Sequence, residues 1–343
     1  MTEDPTLPGI VGGGVNHFLG ALTSKKKRPL VIAHRGASAF APENTLEAAR
    51  LGLARGADGW ELDVRLTRDG VPVVIHDASL RRTTDVAARF RDDPRALAGY
   101  LVADFDEREI RTLDAGSWFV AEEPVPRSSA WFGTREALSE QEGALYSSGR
   151  VRIPTLRECL EWTDGQEWLV NVEIKSWPGF APGLVAGVMA EVQSFRIAQR
   201  VLVSSFDHDG VARVARSPLP IATGVLTMQP LFQPARYVRE SVGASCYHPS
   251  AEAIGAESNL AGPDGGAGAG PLRLRDLESL QREGVPVLCY TVNDSRPEGQ
   301  ADRLAQAGVD ALFTDDPAGL LQLFGSPTND RSRDGSRPNS RPP

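Results

Sequence analysis

The chain has 343 residues, 41% of them hydrophobic, which is enough apolar material for one large α/β domain or two small ones. Its formal net charge is −8 and its pI is near 5.3. That balance offers no basic face of the kind a nucleic acid partner requires.

Residues 1 to 27 mix Gly, Pro and polar residues around a weak apolar patch at Phe18, and read as a flexible, loosely attached segment. The basic run Lys25-Lys26-Lys27-Arg28 reads as a solvated lead-in to the first strand. Short β-branched runs then alternate with longer segments of helical apolar spacing. The runs are Leu30 to Ala33, Gly59 to Leu66, Trp168 to Ile174, Val201 to Ser204, Ile221 to Leu226, Ala244 to Tyr247, Pro286 to Val292 and Ala311 to Thr314. Helical patterns fall at Thr45 to Arg55, Leu156 to Trp162, Leu184 to Phe195, Arg275 to Glu283, Asp302 to Ala307 and Ala318 to Phe324. Eight strands with intervening helices is the count of a (β/α)8 TIM barrel rather than a doubly wound open sheet. The barrel is expected over 28–325, with a disordered tail from Ser326.

One pair of runs breaks the alternation. Val64 and Pro72 are too close in sequence for a parallel crossover, so Val71 to His76 is predicted to return antiparallel through a two-residue Asp69-Gly70 turn. In that register Arg68 faces Val71 and Asp63 faces His76, and Glu61, Asp63 and His76 point the same way. Residues 85 to 150 carry many charges and no convincing strand, and read as an inserted segment that caps the substrate; 251 to 271, rich in Gly and Ala, reads as a mobile loop.

The chemistry lies at the ends of the apolar runs. Glu61 and Asp63, at spacing i, i+2, present two carboxylates from one face of a strand, and Glu173 offers a third at another strand end, with Lys175 on its face. Carboxylates gathered so closely call for a hard divalent cation. His34 and His76 offer two imidazoles suited to proton transfer near neutral pH. Arg35, on the opposite side from His34, offers a planar fork for phosphate oxygens, and Gly36 a sharp exit. In Pro42-Glu43-Asn44-Thr45, Asn44 or Thr45 can cap the first helix, while Glu43 or Asn44 can bond the active histidine or the substrate. Other strand ends that qualify are Ser204-Ser205, His248, Tyr290 to Asn293 and Thr314-Asp315. The combination is that of metal-assisted phosphate ester hydrolysis.

These pieces resemble the glycerophosphodiester phosphodiesterase family. The matches run in order from Ala33-His34-Arg35-Gly36 through Pro42-Glu43-Asn44-Thr45, Glu61-Leu62-Asp63-Val64, Val74-Ile75-His76-Asp77, Leu113-Asp114-Ala115-Gly116, Glu173-Ile174-Lys175, Ser204-Ser205-Phe206-Asp207 and Thr291-Val292-Asn293 to Thr314-Asp315. The resemblance implies a barrel hydrolase that releases sn-glycerol 3-phosphate and an alcohol with the help of Ca²⁺ or Mg²⁺. It implies His34 and His76 as the acid/base pair, Glu61, Asp63 and Glu173 as metal ligands, and Arg35 and Lys175 as phosphate binders. Three departures stand out. Asp85-Val86-Ala87-Ala88 replaces a Gly-containing turn, Tyr290 stands where Trp is common and alters the pocket wall, and the link from Val120 to Arg152 is long. That link raises a competing reading, a lysophospholipase D whose acyl groove is built from Trp118, Phe119, Trp131, Phe132 and Tyr146. A third reading, a barrel that binds phosphodiesters without turnover, predicts gaps in the site that this sequence does not have.

No run reaches the roughly 18 apolar residues of a membrane helix. The start Met1-Thr2-Glu3-Asp4-Pro5 lacks the parts of a secretory signal. Cys159, Cys246 and Cys289 show no metal-ligand spacing, so free buried thiols and a cytoplasmic location are expected. A small-molecule glycerophosphodiester is the expected partner.

Overall fold

The computed structural model describes residues 16–24, 28–121, 138–176, 183–255 and 273–325. Among these described residues lie nine strands: β1 (Leu30–Ala33), β2 (Gly59–Leu66), β3 (Pro72–Val74), β4 (Leu169–Ile174), β5 (Val201–Ser205), β6 (Ala222–Thr227), β7 (Cys246–Pro249), β8 (Leu288–Cys289) and β9 (Ala311–Thr314). All but β3 pair in parallel, in the order β7-β6-β5-β4-β2-β1-β9-β8. Parallel bridges from Tyr247 to Val287 and from Ser250 to Tyr290 bring β7 against β8 and close the ring.

Both faces of these strands are buried, which is why they read as continuous apolar runs. The outward set of β2, β4 and β5, including Trp60, Leu62, Val170, Val172 and Val203, packs on Leu156 and Leu160 of the helix Leu156–Gly165 and on Leu184 and Val188 of the helix Leu184–Ser194. The inward set fills the lower barrel with Leu30, Ile32, Leu202, Ala222, Cys246, Leu288, Ala311 and Phe313.

The head of the chain differs from its expected loose attachment. The helix His17–Thr23 places Phe18 and Leu22 in this inner cluster, with Phe18 fully buried. Asn16 caps it by accepting from the Leu19 N–H, and its amide donates to the carbonyls of Val201 and Pro220. One short apolar patch closes the barrel floor, too brief to show a helical period in the sequence.

The hairpin forms, but one residue out of the expected register. Val64 faces Val74, Arg65 faces Val73 and Leu66 faces Pro72, and the Ile75 N–H donates to the Asp63 carbonyl at 2.9 Å. Asp63 therefore sits opposite Ile75, not His76. The turn is the cause: Thr67 pairs with Val71 around Arg68-Asp69-Gly70, and Gly70 takes a φ of +84°, the geometry of a three-residue loop rather than a two-residue one. β3 ends at Val74, and His76 reaches the site through the irregular backbone beyond it.

The segment after the hairpin has a core of its own. Leu80, Val86, Tyr100, Val102, Phe105, Ile110 and Leu113 bury against Val73, Ile75 and Ile153. Trp118, Phe119 and Tyr146 meet edge-to-face at 5.7 Å and bury with Ala41, Ala48 and Val151. These three rings are engaged in packing; Trp131 and Phe132 lie outside the described residues.

Truncating Phe18 to alanine is expected to cost about 3–5 kcal/mol of stability, the range for a fully buried Phe. Urea unfolding checks this; a loss below about 1 kcal/mol would show that the helix does not hold the floor.

Candidate active site

Side-chain alternation places Glu61 and Asp63 of β2, and Asn171 and Glu173 of β4, on the barrel's inner face, with Asp63 beside Glu173 in register. One oxygen from each of Glu61, Asp63 and Glu173 lies within 4.8 Å of the others, and all three residues are buried. Two cations stand against them. Lys175 Nζ is 2.9 Å from Asp63 Oδ1 and 2.5 Å from Glu173 Oε1. Arg35 Nε is 3.2 Å from Asp63 Oδ2, while the Arg35 backbone N–H donates to Glu61 Oε2 at 2.8 Å. Asn44 donates to Asp63 Oδ2 and accepts the Asp63 N–H.

The carboxylates respond differently. Burial, then repulsion from Asp63 and Glu173, pushes the Glu61 carboxyl well above its usual range. Burial acts on Asp63 in the same sense, but Lys175 and Arg35 outweigh it and hold that carboxyl well below the usual range. Glu61 Oε1 is buried with no hydrogen-bond partner. An all-oxygen set with one orphaned carboxylate oxygen fits a hard divalent cation.

Arg35 does not lie on the far side from His34. Its φ of 55° ends the strand alternation at Ala33 and returns the guanidinium to the carboxylates, where Nη1 also donates to Glu43 Oε1 at 3.0 Å. The following Gly36, at φ +81°, leaves no room for a side chain: a Cβ would meet the Ala48 carbonyl carbon at 2.4 Å.

Both histidines have an aspartate behind them. His34 Nδ1 lies 2.7 Å from Asp315 Oδ1, and Asp315 also accepts from Ser38 Oγ and Asn293 Nδ2. Although burial raises the Asp315 carboxyl, these partners hold it below its usual range. His76 Nδ1 lies 2.6 Å from Asp77 Oδ1, and Arg82 donates to both oxygens of Asp77 and both of Glu43. A carboxylate on Nδ1 selects the tautomer and leaves Nε2 for chemistry.

The structure thus brings His34, Arg35, Glu43, Asn44, Glu61, Asp63, His76, Glu173 and Lys175 together at the carboxyl ends of the strands. Glu43 and Asn44 bond the site's own side chains, and Thr45 is the helix cap. His34, Glu61, Glu173 and Tyr290 line one cleft; Glu43, Asn44 and His76 line a second. The Tyr290 hydroxyl donates to the Thr227 carbonyl, so its ring acts as wall. Sequence reasoning gave no role to Asp77, Arg82, Ser38 or Asn171. For Asn171 a signal existed, since it stands two residues before Glu173 on the same face of β4.

The protein is thus a parallel eight-stranded barrel with a buried acidic cluster at this end, and comparison with known proteins shows its class. The model of the glycerophosphoryl diester phosphodiesterase family matches residues 34–319. A glycerophosphodiester phosphodiesterase of Caldanaerobacter subterraneus subsp. tengcongensis is 32% identical over 86% of this chain and 98% of its own length. Among solved structures, a putative glycerophosphoryl diester phosphodiesterase of Silicibacter pomeroyi is similar with a TM-score of 0.69 and 25% identity, covering 91% of this chain and 97% of that one. An Oleispira antarctica phosphodiesterase, solved with sn-glycerol-3-phosphate, has a TM-score of 0.65 and 26% identity, covering 87% of this chain and 98% of that one. The chain belongs to the glycerophosphoryl diester phosphodiesterase family, and is thereby a phosphoric diester hydrolase.

Because the Glu61 carboxyl is raised when folded, its ionised form lowers stability above that raised pKa, and the cost fades as pH falls. Metal-free Glu61→Gln is therefore expected to melt above metal-free wild type at neutral pH. Wild type should gain about 2.7 kcal/mol at a cation concentration of 100 Kd, and the variant little. Calorimetric melting with and without EDTA checks both signs; equal cation responses would contradict the assignment.

Proposed function

We propose that this protein hydrolyses glycerophosphodiesters to sn-glycerol 3-phosphate and an alcohol, using Ca²⁺ or Mg²⁺ held by Glu61, Asp63 and Glu173. The observation that carries the reading is the buried carboxylate trio with an aspartate-backed imidazole on its cleft and a second alongside. With Glu61 ionised, Lys175 and Arg35 leave one negative charge over; a divalent ion turns this into one positive, which matches the single charge of a phosphodiester. When bound, that ion polarises the phosphoryl group and orients the attacking oxygen.

The chain's own residues do the rest. Arg35 and Lys175 stabilise negative charge developing on the phosphoryl oxygens. One imidazole accepts the proton of the attacking hydroxyl as its oxygen bonds to phosphorus. The other donates a proton to the departing alkoxide as the phosphorus–oxygen ester bond breaks. The attacking hydroxyl is water, which gives sn-glycerol 3-phosphate directly, or the glycerol 2-hydroxyl, already tethered beside phosphorus, which gives a cyclic phosphate that a water then opens, the two imidazoles exchanging roles; both routes begin with the same proton transfer. Asp315 and Asp77 fix the two rings.

The packed state of Trp118, Phe119 and Tyr146 favours a small glycerophosphodiester over an acylated lysophospholipid. Cys159, Cys246 and Cys289 are all buried, in keeping with a reducing, cytoplasmic setting. Among the described residues no helix is long and apolar enough to cross a membrane.

Release of sn-glycerol 3-phosphate from glycerophosphocholine is expected to vanish with EDTA and return with added Ca²⁺ or Mg²⁺. His34→Ala and His76→Ala should each lower kcat by about 10²–10⁴. A strong preference for lysophosphatidylcholine, or activity that survives both EDTA and His34→Ala, would contradict the reading.

A further inference from the structure

Behind the acidic cluster, the inner faces of β4, β5 and β7 bring three polar side chains into one cavity: Asn171, Ser204 and His248, each at most 1% exposed. The Asn171 amide donates to Ser204 Oγ at 3.0 Å, and that leaves Asn171 Oδ1 with no partner. His248 Nε2 also has none. The imidazole fills the space in front of Gly224, where any Cβ would lie 2.5 Å from Nε2. A side chain at Gly224, on the neighbouring strand, would exclude the ring. Leu226, Phe313 and Tyr290 supply the rest of the wall.

Buried acceptors and donors without partners weaken a fold unless a ligand completes them. The completing ligand carries no negative charge at this point, because Glu61 and Glu173 line the same cavity. Hydroxyls that donate to Asn171 Oδ1 and bond to the neutral imidazole and the Ser204 hydroxyl would complete these groups, and a short carbon frame bearing them would sit against Leu226 and Phe313. Resting on the functional reading above, we infer that Asn171, Ser204 and His248 form the subsite for the glycerol diol, with the second ester arm directed to the open mouth. Recognition of the substrate then comes from the barrel interior, and the alcohol that leaves is read loosely.

Two monoesters of equal charge separate the diol from the phosphate: sn-glycerol 3-phosphate and methyl phosphate, each titrated calorimetrically into the metal-loaded protein. Wild type is expected to prefer sn-glycerol 3-phosphate, and His248→Phe and Asn171→Ala to lower that preference about tenfold, on the order of one lost hydrogen bond. His248→Gln, which keeps a side-chain donor, should retain more of the preference than His248→Phe, and this holds the test open should one variant fold poorly. Equal affinity of wild type for both monoesters, or variants that lose both equally, overturns the subsite while leaving hydrolysis of glycerophosphocholine standing. Wild-type protein that prefers the diol but does not hydrolyse glycerophosphocholine overturns the functional reading instead.

Discussion

Three carboxylates in one buried place repel one another, and much of this molecule's upper half is arranged around that repulsion. Lys175 and Arg35 lie against Asp63, Asn44 holds it by two hydrogen bonds, and Glu61 is left with a displaced pKa and an oxygen that bonds nothing. The backbone accommodates these contacts with φ values of 55° at Arg35 and 59° at Asn44, positions that cost about 1–3 kcal/mol each for residues other than glycine. Such strain persists where surrounding contacts over-determine it. Here the Arg35 backbone N–H on Glu61 and its guanidinium on Asp63 and Glu43 do so.

The same barrel interior is layered. Leucine, alanine and phenylalanine fill it from the floor set by Phe18 up to Phe313, and above them the inward positions turn polar at His34, Glu61, Asn171, Ser204 and His248. The aspartates that orient the two imidazoles come from different places, Asp315 after β9 and Asp77 beside His76 in the chain. Arg82 links Asp77 to Glu43 and so to Arg35, which joins the second histidine to the carboxylates through one continuous polar network. Removal of one member would leave others buried and unpaired, so effects within this network are not additive.

Much of this was legible in the sequence, because period-two alternation and strand-end placement are local rules. They locate Glu61, Asp63 and Glu173 on inner faces and all eight parallel strands, though the run Pro286 to Val292 holds strand only at Leu288–Cys289. The rules fail where backbone leaves the regular regions. Alternation puts Arg35 on the wrong side because its left-handed φ breaks the period, and a two-residue turn puts the hairpin one residue out because Gly70 takes the left-handed place in a three-residue turn. Long-range partners are beyond local rules altogether: nothing near His34 names Asp315, which stands 281 residues away, and nothing near Phe18 shows that it plugs a barrel.

The proposed hydrolysis requires a cation seated among Glu61, Asp63 and Glu173. Anomalous diffraction from crystals soaked in Mn²⁺ tests that most directly. The expected result is one peak within coordination distance of an oxygen from each of the three residues. A peak elsewhere in the cleft, or none at saturating Mn²⁺ with Lys175 still bridging Asp63 and Glu173, would contradict it.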